Sequence, residues 1–242
     1  MLDGKIAVIT GGSTGIGKAT AEKYKEYGAT VVIANRSAEA GRKTAEELDC
    51  EFVQCDVSEY SQVEALVEAT VEKHGRLDVM VNNAGIGRTG AVTDMDLDDW
   101  HDVMRINLDG VMYGTRASIP HLLSSGGSVI NIASIYGLVG APGATAYATA
   151  KGGIVNFTRS VAVDYAHQNV RVNSICPGFV ETPMTDPNFE SEEFYEYVHG
   201  HTPMGRVAQP EEIAGLAMFL GSDEASYITG ANIPVDGGWT AQ

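Results

Sequence analysis

The feature that most constrains this chain is a repeated exchange of short Val-, Ile- and Ala-rich runs with longer segments of helical period. Lys5–Thr10, Thr30–Ala34, Glu51–Cys55, Asp78–Asn82, Ser128–Ala133, Val170–Cys176 and Asn232–Val235 read as strands. Helical patterns occupy Gly15–Tyr27, Ala38–Leu48, Glu59–His74, Asp98–Leu123, Ala146–His167 and Glu211–Leu220, and Gly28 supplies a stop after the first. Strands this uniformly apolar have no face to give to water. Separated by helices, they require a parallel sheet covered on both sides, with right-handed crossovers. The expected architecture is α/β: one doubly wound, seven-stranded parallel sheet in a three-layer αβα arrangement.

The 242 residues fit a single domain, and a chain of that size buries roughly 70–75% of its unfolded surface, enough to need neither metal nor disulfide. No linker, repeat or low-complexity tract divides it. The stretch Thr182–Gln209, with Pro183, Pro187 and Pro203, reads as an irregular, substrate-covering lid. Cys50, Cys55 and Cys176 are odd in number and set among apolar residues, which suggests free thiols in a reducing cytoplasm. Their spacing and that of the six histidines lack the pattern of a zinc site, so no metal is expected. Neither a signal peptide nor an 18-residue apolar run is evident, which favours a cytoplasmic protein away from membranes.

The first strand runs into Thr10-Gly11-Gly12-Ser13-Thr14-Gly15-Ile16-Gly17. Glycines at 11, 15 and 17 permit a tight turn, close approach of backbone to a pyrophosphate, and close helix–strand packing. The helix N-terminus then presents N–H groups to an anion. Gly11, Ser13, Thr14, Gly15, Ile16 and Gly17 are therefore expected to cradle a dinucleotide on a Rossmann-type sheet. After the second strand stand Asn35, Arg36 and Ser37, with no acid to accept the ribose hydroxyls. Arg36 can pair with a 2′-phosphate and Ser37 can donate to it, which favours NADP(H); NAD(H) bound through Asn35 is the alternative.

Tyr147 and Lys151 lie four apart in a helical stretch and share a face, while Ser134 ends a strand. A glycine-containing loop can fold the three together at the sheet edge where ligands bind. Reducing a ketone by hydride leaves an alkoxide that needs a proton, and the reverse reaction needs a base. A free phenol near pKa 10 is too weak a base; lowering it three units takes about 4 kcal/mol, which a cation about 4 Å away can supply at an effective dielectric near 20. Lys151 offers that charge, and Ser134 would hydrogen-bond the substrate oxygen.

The spacing of these glycines, together with Tyr147-x-x-x-Lys151, Ser134 and Asn82-Asn83-Ala84-Gly85, resembles the short-chain dehydrogenase/reductase family along essentially the whole chain. The resemblance implies a catalytic tetrad of Asn107, Ser134, Tyr147 and Lys151, with Asn107 holding a relay water and Lys151 also binding the nicotinamide ribose. It implies cofactor contacts from Asp56 and Val57, from Asn83, Ala84 and Gly85, and from Pro177, Gly178, Val180 and Thr182. It also implies a homotetramer, with interfaces on the helices over Asp98–Leu123 and Ala146–His167 and on the last strand. The ending Val235-Asp236-Gly237-Gly238-Trp239 and Thr202-Pro203-Met204-Gly205 are similar to R-specific secondary-alcohol dehydrogenases.

Besides Ser134 and Tyr147, the substrate pocket is expected to draw on Ile135, Tyr136, Pro142, Phe179, Met184 and Met204, mostly apolar, which suits a small hydrophobic alcohol or ketone. A 3-oxoacyl-thioester reductase, a sugar dehydrogenase and a cofactor-binding sensor are the alternatives. Acids outnumber bases 32 to 16, for a net charge of −16, which argues against nucleic acid or an anionic membrane as partner. The acidity suits either an ordinary soluble enzyme or one adapted to high salt, where screening shortens the Debye length to about 3 Å at 1 M. High-salt adaptation predicts that the midpoint of thermal unfolding rises when NaCl is taken from 0.1 M to 1 M; an unchanged midpoint speaks for the ordinary enzyme.

Overall fold

Alternation within each strand splits the core into two halves. The computed structural model describes residues 1–124, 126–186 and 191–242. In it Ile9, Ile33, Val81 and Ile130 point to one face of the sheet, against Ala21 and Tyr24 of one helix and Ile213 and Ala217 of another. Their neighbours Val8, Val32, Met80 and Val129 point to the other face, against Val63, Leu66, Ala117 and Leu122. That two-sided burial is what the continuous apolar runs demand.

The strands are β1 (Ile6–Thr10), β2 (Thr30–Asn35), β3 (Glu51–Gln54), β4 (Val79–Asn82), β5 (Gly127–Ile132), β6 (Val170–Pro177) and β7 (Asn232–Val235). They form one sheet in the order β3-β2-β1-β4-β5-β6-β7, every pairing parallel. The winding reverses between β1 and β4, so the loops leaving these two strands diverge and open a crevice beyond their carboxyl ends.

The helices are α1 (Gly15–Glu26), α2 (Ala38–Leu48), α3 (Tyr60–His74), α4 (Leu97–Val103), α5 (Gly110–Leu122), α6 (Thr145–Tyr165), α7 (Glu192–His201) and α8 (Pro210–Gly221). Three of them, α4, α5 and α7, correct the sequence-based expectation. The single helix over Asp98–Leu123 is instead α4 and α5 joined by a π-helical turn, Met104–Asp109, which gives the helix one extra residue where Asn107 turns inward. The stretch Thr182–Gln209 is not wholly irregular, because α7 lies within it. Ser191 caps α7 by accepting from the Phe194 N–H, Glu192 and Glu193 occupy its first turn, and His199 and His201 its last, all of which favour helix. Pro187 and Glu190 lie outside the described residues.

A ladder of buried amides ties the middle of the sheet to its helices. Asn82 Nδ2 donates to Thr115 Oγ1 of α5 (3.1 Å) and to Asn131 Oδ1 of β5 (2.9 Å), and Asn131 Nδ2 donates to Thr158 Oγ1 of α6 (3.0 Å). Asn131 and Thr158 are fully buried, so removing one partner strands the others in a medium that cannot hydrate them. Asn131→Ala is expected to lose about 2 kcal/mol of stability in urea unfolding; a loss near zero would show that the ladder carries no such load.

Candidate active site

The loops leaving β1 and β4 are stitched together where the winding reverses. Thr10 Oγ1 accepts from the N–H groups of Asn83 (3.0 Å) and Ala84 (3.2 Å), and Asn83 Nδ2 donates to the carbonyls of Thr10 (2.9 Å) and Gly11 (3.1 Å). Gly11 sits at φ +65°, which other residues rarely adopt. Gly17, on the first turn of α1, packs so tightly beneath the Gly11 carbonyl and the Asn83 amide that a Cβ there would overlap both. From the second strand Asn35 Oδ1 accepts from the Ser13 N–H (3.0 Å), while Thr44 Oγ1 donates to the Ser13 carbonyl (3.0 Å). The turn is thus held from three sides, and α1 opens directly from it.

A cavity of about 310 Å³ follows these loops along the carboxyl edge of the sheet. Of the residues expected to hold a cofactor, it is lined by Gly11, Thr14, Gly15, Ile16, Asn35, Arg36, Asp56, Val57, Asn83, Ala84, Gly85, Tyr147, Lys151, Pro177, Gly178, Val180 and Thr182. Ser13 and Gly17 lie behind this surface and support it. Ser37 accepts from the Ala40 N–H and caps α2 instead of facing the cavity. Ile86, Ile106, Cys55, Pro183 and Thr185 also line it and went unpredicted, although each adjoins a singled-out residue in sequence or lies within the proposed lid. Thr182 closes over the phosphate end, its methyl opposite Gly15 at 3.1 Å from where a Cβ would stand.

The cavity fits an extended dinucleotide: a positive-φ glycine turn with a helix N-terminus at one end, an arginine beside it, and the tyrosine–lysine pair at the other. Arg36 is exposed on the rim, and its charge reaches Asp56. Burial would raise the Asp56 carboxyl, but hydrogen bonds from the Ser58 hydroxyl and N–H, with the charges of Arg36 and Arg105, hold it below the usual range.

At the far end Ser134 follows β5 in extended backbone, and its Oγ accepts from the Tyr136 N–H at 3.2 Å, which fixes the hydroxyl. Tyr147 and Lys151 rise from the first turns of α6. Lys151 is only 4% exposed, yet its Nζ donates to the Ile132 carbonyl at 2.7 Å and stands 5.5 Å from the centre of the Tyr147 ring. Burial pushes the Lys151 ammonium down to about 8, partly countered by Cys176. Burial likewise raises the Tyr147 hydroxyl, and a hydrogen bond with Ser134 pulls it back.

Asn107 sits in the π-helical turn, fully buried, with Oδ1 accepting from the Ile86 N–H (2.8 Å) and Nδ2 donating to the Ile86 carbonyl (2.9 Å). Across Gly85 it neighbours Lys151: a Cβ on that glycine would stand 3.2 Å from Asn107 Oδ1 and 3.8 Å from Lys151 Nζ. The four tetrad positions therefore converge.

The expected substrate residues divide. Ser134, Tyr147 and Met184 line the main cavity. Tyr136 packs on Phe179, and Phe179 and Met204 line a separate hollow of about 80 Å³ beneath the C-terminal turn. Ile135 is 2% exposed and belongs to the interior, whereas Pro142 lies out in solvent. Trp239, unpredicted, joins this region by packing on Phe179, with ring centres 5.0 Å apart.

Comparison with known proteins agrees with this arrangement. A family model described as enoyl-(acyl carrier protein) reductase matches residues 11–240. The chain is 43% identical to the meso-2,3-butanediol dehydrogenase of Serratia marcescens over 242 residues, covering 99% of this chain and 96% of that protein. It is 41% identical to the NADP-dependent (R)-specific alcohol dehydrogenase of Lentilactobacillus kefiri over 249 residues, covering 100% and 98%. A short-chain type dehydrogenase/reductase from Mycobacterium marinum superposes with a TM-score of 0.94 at 34% identity, covering 100% of this chain and 97% of that one. The chain belongs to the short-chain dehydrogenase/reductase family of NAD(P)-dependent oxidoreductases.

Proposed function

We propose that this enzyme moves a hydride between NADP(H) and a small secondary alcohol or ketone, with Tyr147 as the proton donor and acceptor. The observation that carries the proposal is the buried Lys151 beside Tyr147 and Ser134 at the end of a dinucleotide-shaped cleft. The relatives reported above act, by their names, on a diol and on R-alcohols.

The glycine turn, Asp56, Asn83–Gly85 and Pro177–Thr182 would hold the cofactor, which when bound supplies or accepts the hydride. NADP(H) is preferred over NAD(H) because Arg36 lines the cleft while Asn35 spends its carbonyl on the Ser13 N–H and no carboxylate ends β2. A bidentate arginine suits a 2′-phosphate. The segment after β6, with α7, serves as the lid, and the active form is a homotetramer built on α5, α6 and β7.

In reduction, Ser134 Oγ–H donates to the substrate oxygen, and Tyr147 Oη gives its proton to the developing alkoxide. The phenolate left behind faces Lys151, whose charge 5.5 Å from the ring contributes about 3 kcal/mol at an effective dielectric near 20. A proton from the Lys151 side restores the Tyr147 phenol, and Asn107, locked on Ile86 next to Lys151, holds the water through which the lysine is then reprotonated. In oxidation every transfer runs backwards.

A 3-oxoacyl-thioester substrate is the second reading, favoured by the description of the family model. The cations near the mouth speak against an acidic carrier protein, since Arg88 is paired with Asp99 and Arg206 with Glu212.

Three outcomes are expected. Tyr147→Phe should lower ketone reduction at least ~100-fold while the cofactor still binds; retained turnover would remove the tyrosine from the chemistry. The Lys151 charge is present below its folded pKa, so kcat/KM for reduction, which reports the free enzyme, should fall as pH rises through about 8. A flat profile to pH 10 would contradict the role of that charge. Arg36→Leu should cut the preference for NADPH over NADH by roughly 10- to 100-fold, as measured by initial rates at 340 nm.

A further inference from the structure

The segment Thr182–Thr185, between the exit of β6 and α7, lies across the opening of the cleft. A Cβ on Gly15, in the turn after β1, would stand 3.1 Å from the Thr182 methyl, and one on Gly87, in the loop after β4, would stand 3.9 Å from Met184 Cγ. The two lips that Thr10 and Asn83 fasten at their base are therefore spanned again by one short strap. Thr182, Pro183, Met184 and Thr185 all line the cavity, while Pro183 and Met184 are also exposed, so the strap stands between the cavity and water.

One hydroxyl ties the strap to the sheet. Thr185 Oγ1 lies 2.5 Å from the Val180 carbonyl and 3.1 Å from that of Thr182, and also 3.1 Å from the Thr182 nitrogen and 3.0 Å from Thr182 Oγ1. It has a single proton, which goes to the nearer carbonyl, that of Val180. The Thr182 N–H and hydroxyl then donate back to it, and its capacity is filled. Main-chain bonds from the Thr185 and Asp186 N–H groups to the Thr182 carbonyl, 2.9 and 2.8 Å, close the same turn. Val180 is a fixed anchor. It is buried, the preceding Phe179 carbonyl accepts from the Ala208 N–H, and the following Glu181 N–H donates to the Ala208 carbonyl, each at 2.9 Å. Contacts thus run from the exit of β6 through Thr185 to Thr182 and on to Gly15. The main-chain bonds give the turn its shape, and the hydroxyl fixes where the turn stands.

We propose that Thr185 is a positioning residue for the cofactor: its hydroxyl holds the strap against both lips of the cleft, so that a bound nicotinamide dinucleotide leaves only after the bonds joining Val180, Thr185 and Thr182 have opened. This rests on the assignment of the cleft to that cofactor. A dinucleotide extended from the glycine turn to Tyr147 and Lys151 runs beneath the strap, and its escape requires Thr182 to part from Gly15. Because those hydrogen bonds break before release, the hydroxyl acts on the dissociation rate. Thr185 takes no part in hydride or proton transfer.

The test follows NADPH and NADH by nicotinamide fluorescence, at equilibrium and by stopped-flow displacement, in the wild type, Thr185→Val and Thr185→Ser. Valine keeps the shape of threonine without the hydroxyl, and serine keeps the hydroxyl. For the cofactor that the wild type binds more tightly, Thr185→Val should raise Kd about tenfold, through a dissociation rate faster by a similar factor. Thr185→Ser should restore both to within about threefold of the wild type, and Thr185→Ala, a second way to remove the hydroxyl, should behave as valine does. Thermal unfolding is read alongside. A lowered midpoint in Thr185→Val with Kd and dissociation rate unchanged would assign the hydroxyl to folding alone and overturn the proposal, as would a serine variant that releases cofactor as fast as the valine one. A wild type that binds neither NADPH nor NADH would fault the reading of the cleft itself, and this proposal with it.

Discussion

A lysine amine buried among strand ends is the interaction on which the site depends. Lys151 is nearly sealed from water, and an isolated ammonium in such a place is strongly disfavoured. The fold offsets part of that cost with the Ile132 carbonyl, which accepts from Nζ at 2.7 Å. What remains is burial that pushes the Lys151 ammonium down to about 8. Such a group is poised to exchange a proton and to change its field on the neighbouring phenol, which is the use the proposed mechanism makes of it. Its position follows from the register of β5 and the start of α6, so the sheet and the chemistry cannot be separated.

The same economy governs the cofactor end. A parallel sheet that reverses its winding between β1 and β4 must leave a crevice there. Thr10 and Asn83 fasten its two lips, and Gly17 lets α1 come close enough for its first N–H groups to face the opening. Asn82, one residue earlier, faces the opposite way and anchors β4 to β5 and α5. Two successive asparagines thus divide the work, one holding the scaffold and the other holding the site.

Much of this was legible in the sequence because it rests on local rules. Period and apolarity located all seven strands, Ala38–Leu48 and Asn232–Val235 to the residue, and helical spacing put Tyr147 and Lys151 on one face. Less legible was whatever depends on tertiary partners. The π-helical turn at Asn107 reflects a carboxamide bonded to Ile86, 21 residues away, which no local pattern reveals. Helix α7 was hidden because prolines and acids suggested a loop, although its serine cap and terminal histidines were in view. Trp239 and Phe179 meet only because the C-terminal turn folds beneath the exit of β6. The mostly apolar pocket expected from positions near the catalytic group accordingly divides, Met184 lining the main cavity and Phe179 and Met204 a separate hollow.

The most direct test of the central claim follows the hydride itself in a variant that lacks the buried charge. Nicotinamide cofactor deuterated at its donating carbon, incubated with a secondary ketone and the wild-type enzyme, should give alcohol labelled at the carbinol carbon. Lys151→Ala should slow that labelling by about 100-fold or more. Unlabelled alcohol from the wild type, or labelling at an undiminished rate in Lys151→Ala, would contradict the account.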